Sequence, residues 1–408
     1  MDSLAVEDIP ARIDPALVVD YDMFADARFE SAGGVTEAMV SLRDEAPDLF
    51  WSPRRGGYWV IQGYEATVEA AKRTDLFSSS HMAIPPSPEL MDMRMVPLQV
   101  DPPDHARFRA PLAAAFTPTQ MFRREDQIRV LAIELIDSVA DRGSCDFFEA
   151  VAEPLPVLIF MDIMGLDKSK LHEFRDYACV AISTPDPAIR VDAFTKASAM
   201  LAEVIHARRA RREDDLISYL LDLEIDGEPV SDKLALDYAQ LLFFAGLDTV
   251  ANAMAFIVRY LARDHSLQQR LRENPGEIQH AMEEMLRRHA IAPVARIVIK
   301  DELWRGAQFS KGDMVLINYT AANIDDRVFA HGDQVDIGRE RINHIAFGAG
   351  PHRCIGRHLA RIEINVMLQE WLARVPLFSP DPHLPDKTHG GHVVGMDTLP
   401  LVWATSQG

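Results

Sequence analysis

Phe347-Gly348-Ala349-Gly350-Pro351-His352-Arg353-Cys354-Ile355-Gly356 decides how this chain is read. One cysteine stands among glycines, a histidine and an arginine at short, fixed offsets. Glycine has no Cβ, so Gly348, Gly350 and Gly356 permit sharp turns and a close backbone approach to a flat ligand, with N–H groups free to point at the sulfur. A cysteine sulfur binds iron as the thiolate, and a free thiol has a pKa of about 8.5, so metal and donors together must favour the ionised form. The loop is suited to present Cys354 as the axial ligand of a heme iron. A structural cysteine beside a glycine turn is the simpler alternative.

The spacing Phe-Gly-x-Gly-x-His-x-Cys-x-Gly, continued by Leu359-Ala360-Arg361, resembles the cysteine-ligand loop of the cytochrome P-450 superfamily. Six such positions match by chance on the order of once in 10⁵ chains of this length. The resemblance runs from about residue 50 to the C-terminus. Gly246-Leu247-Asp248-Thr249-Val250, Leu359-Ala360-Arg361-Ile362-Glu363 and Gly395-Met396-Asp397-Thr398-Leu399-Pro400-Leu401-Val402-Trp403 look most like its camphor hydroxylase branch. The resemblance implies a mainly α fold with small β-sheets (α+β), with heme b (iron protoporphyrin IX) buried between a long central helix and the cysteine loop. Phe347 and Gly348 are among its implied cofactor contacts.

The 408 residues, 48% of them hydrophobic, are enough for a large core. Neither a linker, a repeat nor a low-complexity tract divides them, so one domain over 1–408 is expected, with a helix-rich and a strand-rich part. Cys145, Cys179 and Cys354 are odd in number and far apart, which argues against a disulfide framework and for a reducing compartment. Met1 to Asp8 show neither a basic n-region nor an apolar h-region, so no signal peptide or membrane anchor is expected and the cytoplasm is the expected location. A net charge of −20 disfavours nucleic acid or an anionic membrane as main partner.

Tyr58-Trp59-Val60-Ile61 reads as a strand followed by a short helix carrying Ala66, Val68 and Ala71. Ser78 to Pro97 is rich in proline and methionine and reads either as a surface loop or as a lid over an apolar pocket. Asp101-Pro102-Pro103-Asp104-His105 predicts a helix start capped by Asp101, with His105 and Arg109 one turn apart on one face. Apolar spacing predicts helices over Glu125 to Arg142 and Thr195 to Arg212. Ile297-Val298-Ile299 and Met314-Val315-Leu316-Ile317 read as strands.

Leu241 to Val258 is apolar on nearly every face, which means a core helix or a membrane span. Asp248, Thr249 and Asn252 at its centre decide for the core, since a charge at mid-membrane costs roughly 3 kcal/mol. Gly246 and a Thr249 hydroxyl bonded back to the Ala245 carbonyl both loosen one turn. Ala245-Gly246-Leu247-Asp248-Thr249 resembles the oxygen-binding groove of the P-450 central helix. That likeness implies room for dioxygen at Ala245 and Gly246, with Asp248 as proton source and Thr249 as relay.

Glu284 and Arg287 resemble the family's Glu-x-x-Arg helix, which implies a buried structural triad closed by Arg339. Burying two heme propionates demands cations or donors, and His105, Arg109, Arg296 and His352 sit where relatives place them. Arg107, Arg109, Arg341, Arg353, Arg357 and Arg361 gather around the same segments, either as a solvated face or as a docking surface for an acidic partner.

Met93, Met95, Leu241, Phe244, Val294 and Val393 are the expected substrate pocket, with His392 as a candidate donor, though plain core packing fits each of them as well. The camphor binders' tyrosine is replaced by Met93, so the expected substrate is an apolar, terpenoid-like molecule held by shape. The resemblance implies a monooxygenase that uses dioxygen to hydroxylate an unactivated C–H bond. Its electrons come from NAD(P)H through a ferredoxin reductase and an acidic iron-sulfur ferredoxin, since the chain has no flavin or nicotinamide fingerprint. A heme-thiolate peroxygenase and a non-enzymatic heme sensor are the competing readings.

Overall fold

The computed structural model describes residues 9–405 except 32, 86–94, 171, 174–175, 178–179, 181–186 and 247. Met93 and Cys179 of the sequence reading lie outside the described residues. Helices dominate, and the strands form one five-stranded sheet and several smaller ones. The α+β expectation holds.

The apolar run extends further than the sequence window. Helical residues occupy Asp232–Gly246 and Asp248–Arg263, a span of 32 residues. By length and composition it is the one candidate membrane span among the described residues, yet 71% of its most apolar window is buried inside the protein. Burial all round is what an all-round apolar helix requires, and here other protein elements supply it. It packs on Pro154–Met164, Pro187–Ala210, Ile278–Arg288, Arg357–Arg374 and the C-terminal hairpin. Phe147, Trp371 and Phe378 close the bottom of this helical core with edge-to-face ring contacts.

The large sheet runs in the order Leu49–Ser52, Tyr58–Ile61, Met314–Ile317, Val294–Val298, Phe77–Ser78. Trp59 pairs in register with Val315 on the parallel side, and Val315 with Arg296 on the antiparallel side. Tyr58, Trp59, Val60 and Ile61 are all buried, as a strand covered on both faces must be. This sheet fixes Arg296, on the Val294–Val298 strand, against the site.

Helix boundaries shifted where turn chemistry competed. Predicted helices at Glu125 and Thr195 appear as Glu125–Ala140 and Pro187–Ala210. The helix expected from Asp101 begins at His105 instead. Asp101 accepts from the Ser79 N–H at 2.9 Å and from the Ser78 hydroxyl, so its carboxylate is committed to the neighbouring segment rather than to a cap. The His105 N–H reaches the Asp101 carbonyl at 3.0 Å, which makes Asp101-Pro102-Pro103-Asp104 a turn leading into the helix.

Candidate active site

The cysteine loop is built by its glycines. Gly348 and Gly350 have φ of 74° and 69°, the left-handed region that β-carbons disfavour. A Cβ on Gly350 would lie 2.3 Å from the Ala71 carbonyl oxygen, so the loop can rest against that turn only with glycine there. The Cys354 N–H donates to the Phe347 carbonyl at 2.8 Å and closes the loop. Gly356 starts the Arg357–Arg374 helix and points its N–H at the Cys354 sulfur.

The sulfur opens onto a cavity of about 490 Å³. Burial raises the Cys354 thiol pKa, against the Gly356 N–H and the charges of Arg109, Arg357 and Arg361, which lower it. The donors therefore do not offset burial by themselves, and a bound metal would favour the thiolate further. Ala245, Gly246 and Thr249 of the central helix line the same cavity. The Thr249 hydroxyl donates to the Ala245 carbonyl at 3.0 Å, as its position predicts. Asp248 is not among the lining residues and is held at its Oδ1 by the Asn252 amide at 2.8 Å. Burial raises its pKa, with His389 as the main opposing charge.

Arg109, Arg296 and His352 line the cavity, and His105 packs against His352. The His105 and His352 rings lie with centroids 4.3 Å apart, tilted by 55°, and among the described residues His105 Nε2 and both ring nitrogens of His352 have no hydrogen-bond partner. Burial, with Arg296, His105 and Arg109 nearby, pushes the His352 imidazole down to about 3. Burial likewise lowers the Arg109 and Arg296 guanidinium values. Arg296 is 5% exposed, and its one side-chain hydrogen bond among the described residues is to the adjacent Ala295 carbonyl. Orphaned buried donors and mutually repelling cations need an anion. Two propionates beside a thiolate-ligated iron are such an anion, so the residues fit heme b.

The loop is held by elements that the sequence revealed only in part. Glu284 and Arg287 are fully buried, and Glu284 Oε1 accepts from Arg287, from Arg339 and from the Asp336 N–H at 2.8, 2.9 and 3.0 Å. The triad is thus present. The neighbouring Glu283 carries no motif, yet it accepts from Arg361 at 2.9 Å and meets His344 at 2.9 Å. Arg361 also lies 4.4 Å above the Phe347 ring, so it braces the loop and is not available as a simple docking cation. Arg109 similarly donates to the Arg353 carbonyl and lines the cavity. Arg341 and Arg353 are exposed and have no carboxylate partner among the described residues.

Met95, Leu241, Phe244, Val294, His392 and Val393 all line the cavity. Phe244 packs on Phe194, another lining residue, with centroids 4.0 Å apart. Ser80, His81, Met82 and Ala83, from the described start of the proline-rich stretch, line it as well. Sequence reasoning missed Gln240 and Tyr319. Gln240 lines the cavity and donates to Ser198 at 2.6 Å, and Tyr319 lies under the loop with its hydroxyl met by the Ala349 N–H. Both sit in runs with no motif, so only the tertiary contact reveals them.

The family model described as cytochrome P450 matches residues 180–403. A probable cytochrome P450 127A1 of Sinorhizobium fredii is 32% identical over 403 residues, covering 97% of this chain and 97% of the relative. A steroid C26-monooxygenase of Mycobacterium tuberculosis is 30% identical, covering 95% of this chain and 98% of its own. The crystal structure of CYP101J2 superposes with a TM-score of 0.90 at 30% identity, covering 97% of this chain and 99% of that one.

Proposed function

The chain belongs to the cytochrome P450 family, and from that premise we propose that it is a single-domain, cytoplasmic monooxygenase hydroxylating a small apolar, terpenoid-like substrate with ferredoxin-delivered electrons. The observation that carries the reading is the cavity itself, lined by Cys354, by Ala245, Gly246 and Thr249 of the central helix and by His352, whose ring nitrogens have no hydrogen-bond partner among the described residues. When bound, the heme supplies dioxygen activation and insertion of one oxygen atom into a C–H bond.

The chain's own residues do the rest. Cys354 would ligate the iron, with the Gly356 N–H at its sulfur. Arg109, Arg296 and His352, with His105 packed on His352, would hold the propionates. The Thr249 hydroxyl, whose hydrogen goes to the Ala245 carbonyl, offers its lone pairs at the cavity wall, and the adjacent Asp248 is the proton source. Met95, Leu241, Phe244, Val294 and Val393 exclude water and hold the substrate by shape. The paired Phe194 and Phe244 rings add aromatic surface to this apolar lining.

The test is the absorption spectrum of the dithionite-reduced protein with carbon monoxide. The expected Soret band is strongly red-shifted, and Cys354→Ser is expected to return it to the position of a heme without thiolate. A wild-type band already at that position overturns thiolate ligation. Substrate class is read by the spin-state change on titrating monoterpenoids against sterols, with the larger response expected from the monoterpenoids.

The exposed Arg341 and Arg353 favour an acidic ferredoxin as electron donor. Arg353→Glu is expected to raise the KM for a bacterial two-iron ferredoxin roughly tenfold and to flatten its salt dependence, at unchanged substrate binding. Unchanged KM and salt dependence in the variant move the docking site elsewhere.

A further inference from the structure

The helix Pro187–Ala210 packs along Asp232–Gly246, the first part of the central helix, and the two meet in matched rungs. Phe194 packs on Phe244 with ring centroids 4.0 Å apart, and one turn away on each helix Gln240 Nε2 donates to the Ser198 hydroxyl at 2.6 Å. Residues four apart share a helix face, so the facing sides carry one aromatic rung and one polar rung. Phe194, Gln240 and Phe244 all line the cavity.

Ser198 fixes which way the amide faces. Its own hydrogen goes to the Phe194 carbonyl at 2.7 Å, so towards Gln240 it can only accept. The atom of Gln240 that meets it is therefore the nitrogen, and the amide cannot turn over without setting two acceptors against each other. Gln240 is 7% exposed, and its Oε1 receives no hydrogen bond from any described residue. A second carboxamide in the lining, that of Gln99, differs in this respect, because its oxygen accepts from the Met95 N–H at 2.8 Å. Gln240 thus gives the cavity an acceptor of fixed orientation, with one further N–H beside it.

A buried carboxamide oxygen without a donor is costly, and a ligand that brings the donor gains what the protein has left unmade. A hydroxyl matches this amide on both counts, since its hydrogen suits Oε1 and its lone pairs suit the spare N–H. A carbonyl can only accept, and a hydrocarbon does neither. Position adds a length. Gln240 stands six residues before Gly246, about 9 Å along the helix axis. Side chains on a helix lean towards its N-terminus, which carries the amide farther still from the groove at Ala245 and Gly246.

We propose that Gln240 is a specificity-determining residue of this site: its Oε1 accepts the hydroxyl of a terpenoid alcohol and sets the carbon that is oxidised at the far end of the molecule. The hydroxyl itself is unchanged by the reaction, so the product is a diol. The proposal rests on the monooxygenase reading above and adds a polar anchor to its apolar substrate.

The experiment is a spin-state titration of the heme-loaded protein with geraniol, with its aldehyde geranial, and with the hydrocarbon in which hydrogen replaces the hydroxyl. Geraniol is expected to bind about tenfold more tightly than either. Gln240→Leu keeps the bulk and removes the amide, and its carbon monoxide band reports whether the site is intact. It is expected to weaken geraniol about tenfold while the hydrocarbon binds as well as before or better. Ser198→Ala leaves Gln240 in place but frees its amide to turn, and is expected to lose part of the preference for geraniol over geranial. With the ferredoxin system, the wild type is expected to oxidise geraniol at the end away from its hydroxyl, and Gln240→Leu to spread the product over several positions.

An undiminished preference for geraniol in Gln240→Leu overturns the proposal, as does a wild type that binds the hydrocarbon equally well. So does an equal loss for all three compounds in Gln240→Leu, which marks the residue as packing alone. A wild type with a red-shifted carbon monoxide band that responds to none of the three overturns instead the terpenoid reading on which the proposal rests.

Discussion

Glu284→Gln is expected to cost about 3–5 kcal/mol of stability, because it removes one partner from a buried charge network and leaves two guanidinium groups without their anion. Arg287 is 0% exposed and has committed its other donors to the Asn323, Gly332 and Gln334 carbonyls at 2.8, 2.7 and 2.6 Å. It also lies 5.1 Å from the Phe329 ring centroid, so it cannot swing out to water. Arg339 spends its remaining donors on the Ala330 and His331 carbonyls. The network therefore pins a long irregular segment, and that segment leads into the cysteine loop through Asn323, which accepts from the Ile345 N–H at 2.8 Å.

A loss of that size is a large share of the roughly 5–15 kcal/mol by which proteins are stable. The measurement is the urea midpoint of the heme-loaded protein, together with the fraction of heme retained after gel filtration. Both are expected to fall. Arg339→Lys keeps the charge but not the planar fork, so it is expected to show a smaller loss of both and to remain folded for comparison. A wild-type midpoint in Glu284→Gln would mean the network adds nothing beyond packing.

The same region shows what a linear sequence can and cannot disclose. Cys354 was legible because its chemistry requires short fixed offsets, and offsets survive in sequence. Glu284, Arg287 and Arg339 were legible only through the family likeness, since an i, i+3 pair alone passes unnoticed. Glu283 is one residue from a recognised position but faces the other way, towards His344 and Arg361, and nothing in sequence spacing indicates that direction. Arg361 consequently read as a surface cation when it is a brace over Phe347.

The misplaced helix start at Asp101 has a related origin. Its residues suit capping, yet the acceptor was claimed by Ser78 and Ser79, which are distant in sequence. The orientation of the Gln240 amide depends on Ser198 of another helix, and it arises only when the two helices pack. Local chemistry is readable early; competition between distant partners for one group is not.

Thr249→Ala is expected to separate electron consumption from product formation. The Thr249 hydroxyl spends its hydrogen on the Ala245 carbonyl at 3.0 Å, so its lone pairs are left to accept a proton-bearing partner at the cavity wall. Removing it leaves Asp248 in place, tied to Asn252 and the hairpin, but removes the atom through which that acid reaches the cavity. Cys354 is on a separate segment of the lining and is untouched, so electron uptake should continue near its normal rate.

The yield of product per NAD(P)H is expected to drop roughly tenfold or more, with hydrogen peroxide making up the difference. Thr249→Ser keeps the hydroxyl and is expected to stay coupled, which distinguishes loss of the proton path from loss of packing. Supplying peroxide in place of dioxygen and electrons separates the monooxygenase from a peroxygenase. The alanine variant should lose its yield in the dioxygen reaction far more than in the peroxide reaction if the hydroxyl serves oxygen activation. Full coupling in Thr249→Ala would leave the acid and alcohol of the central helix without a catalytic task, and the structural reading of that turn, a polar break in a core helix, would take its place.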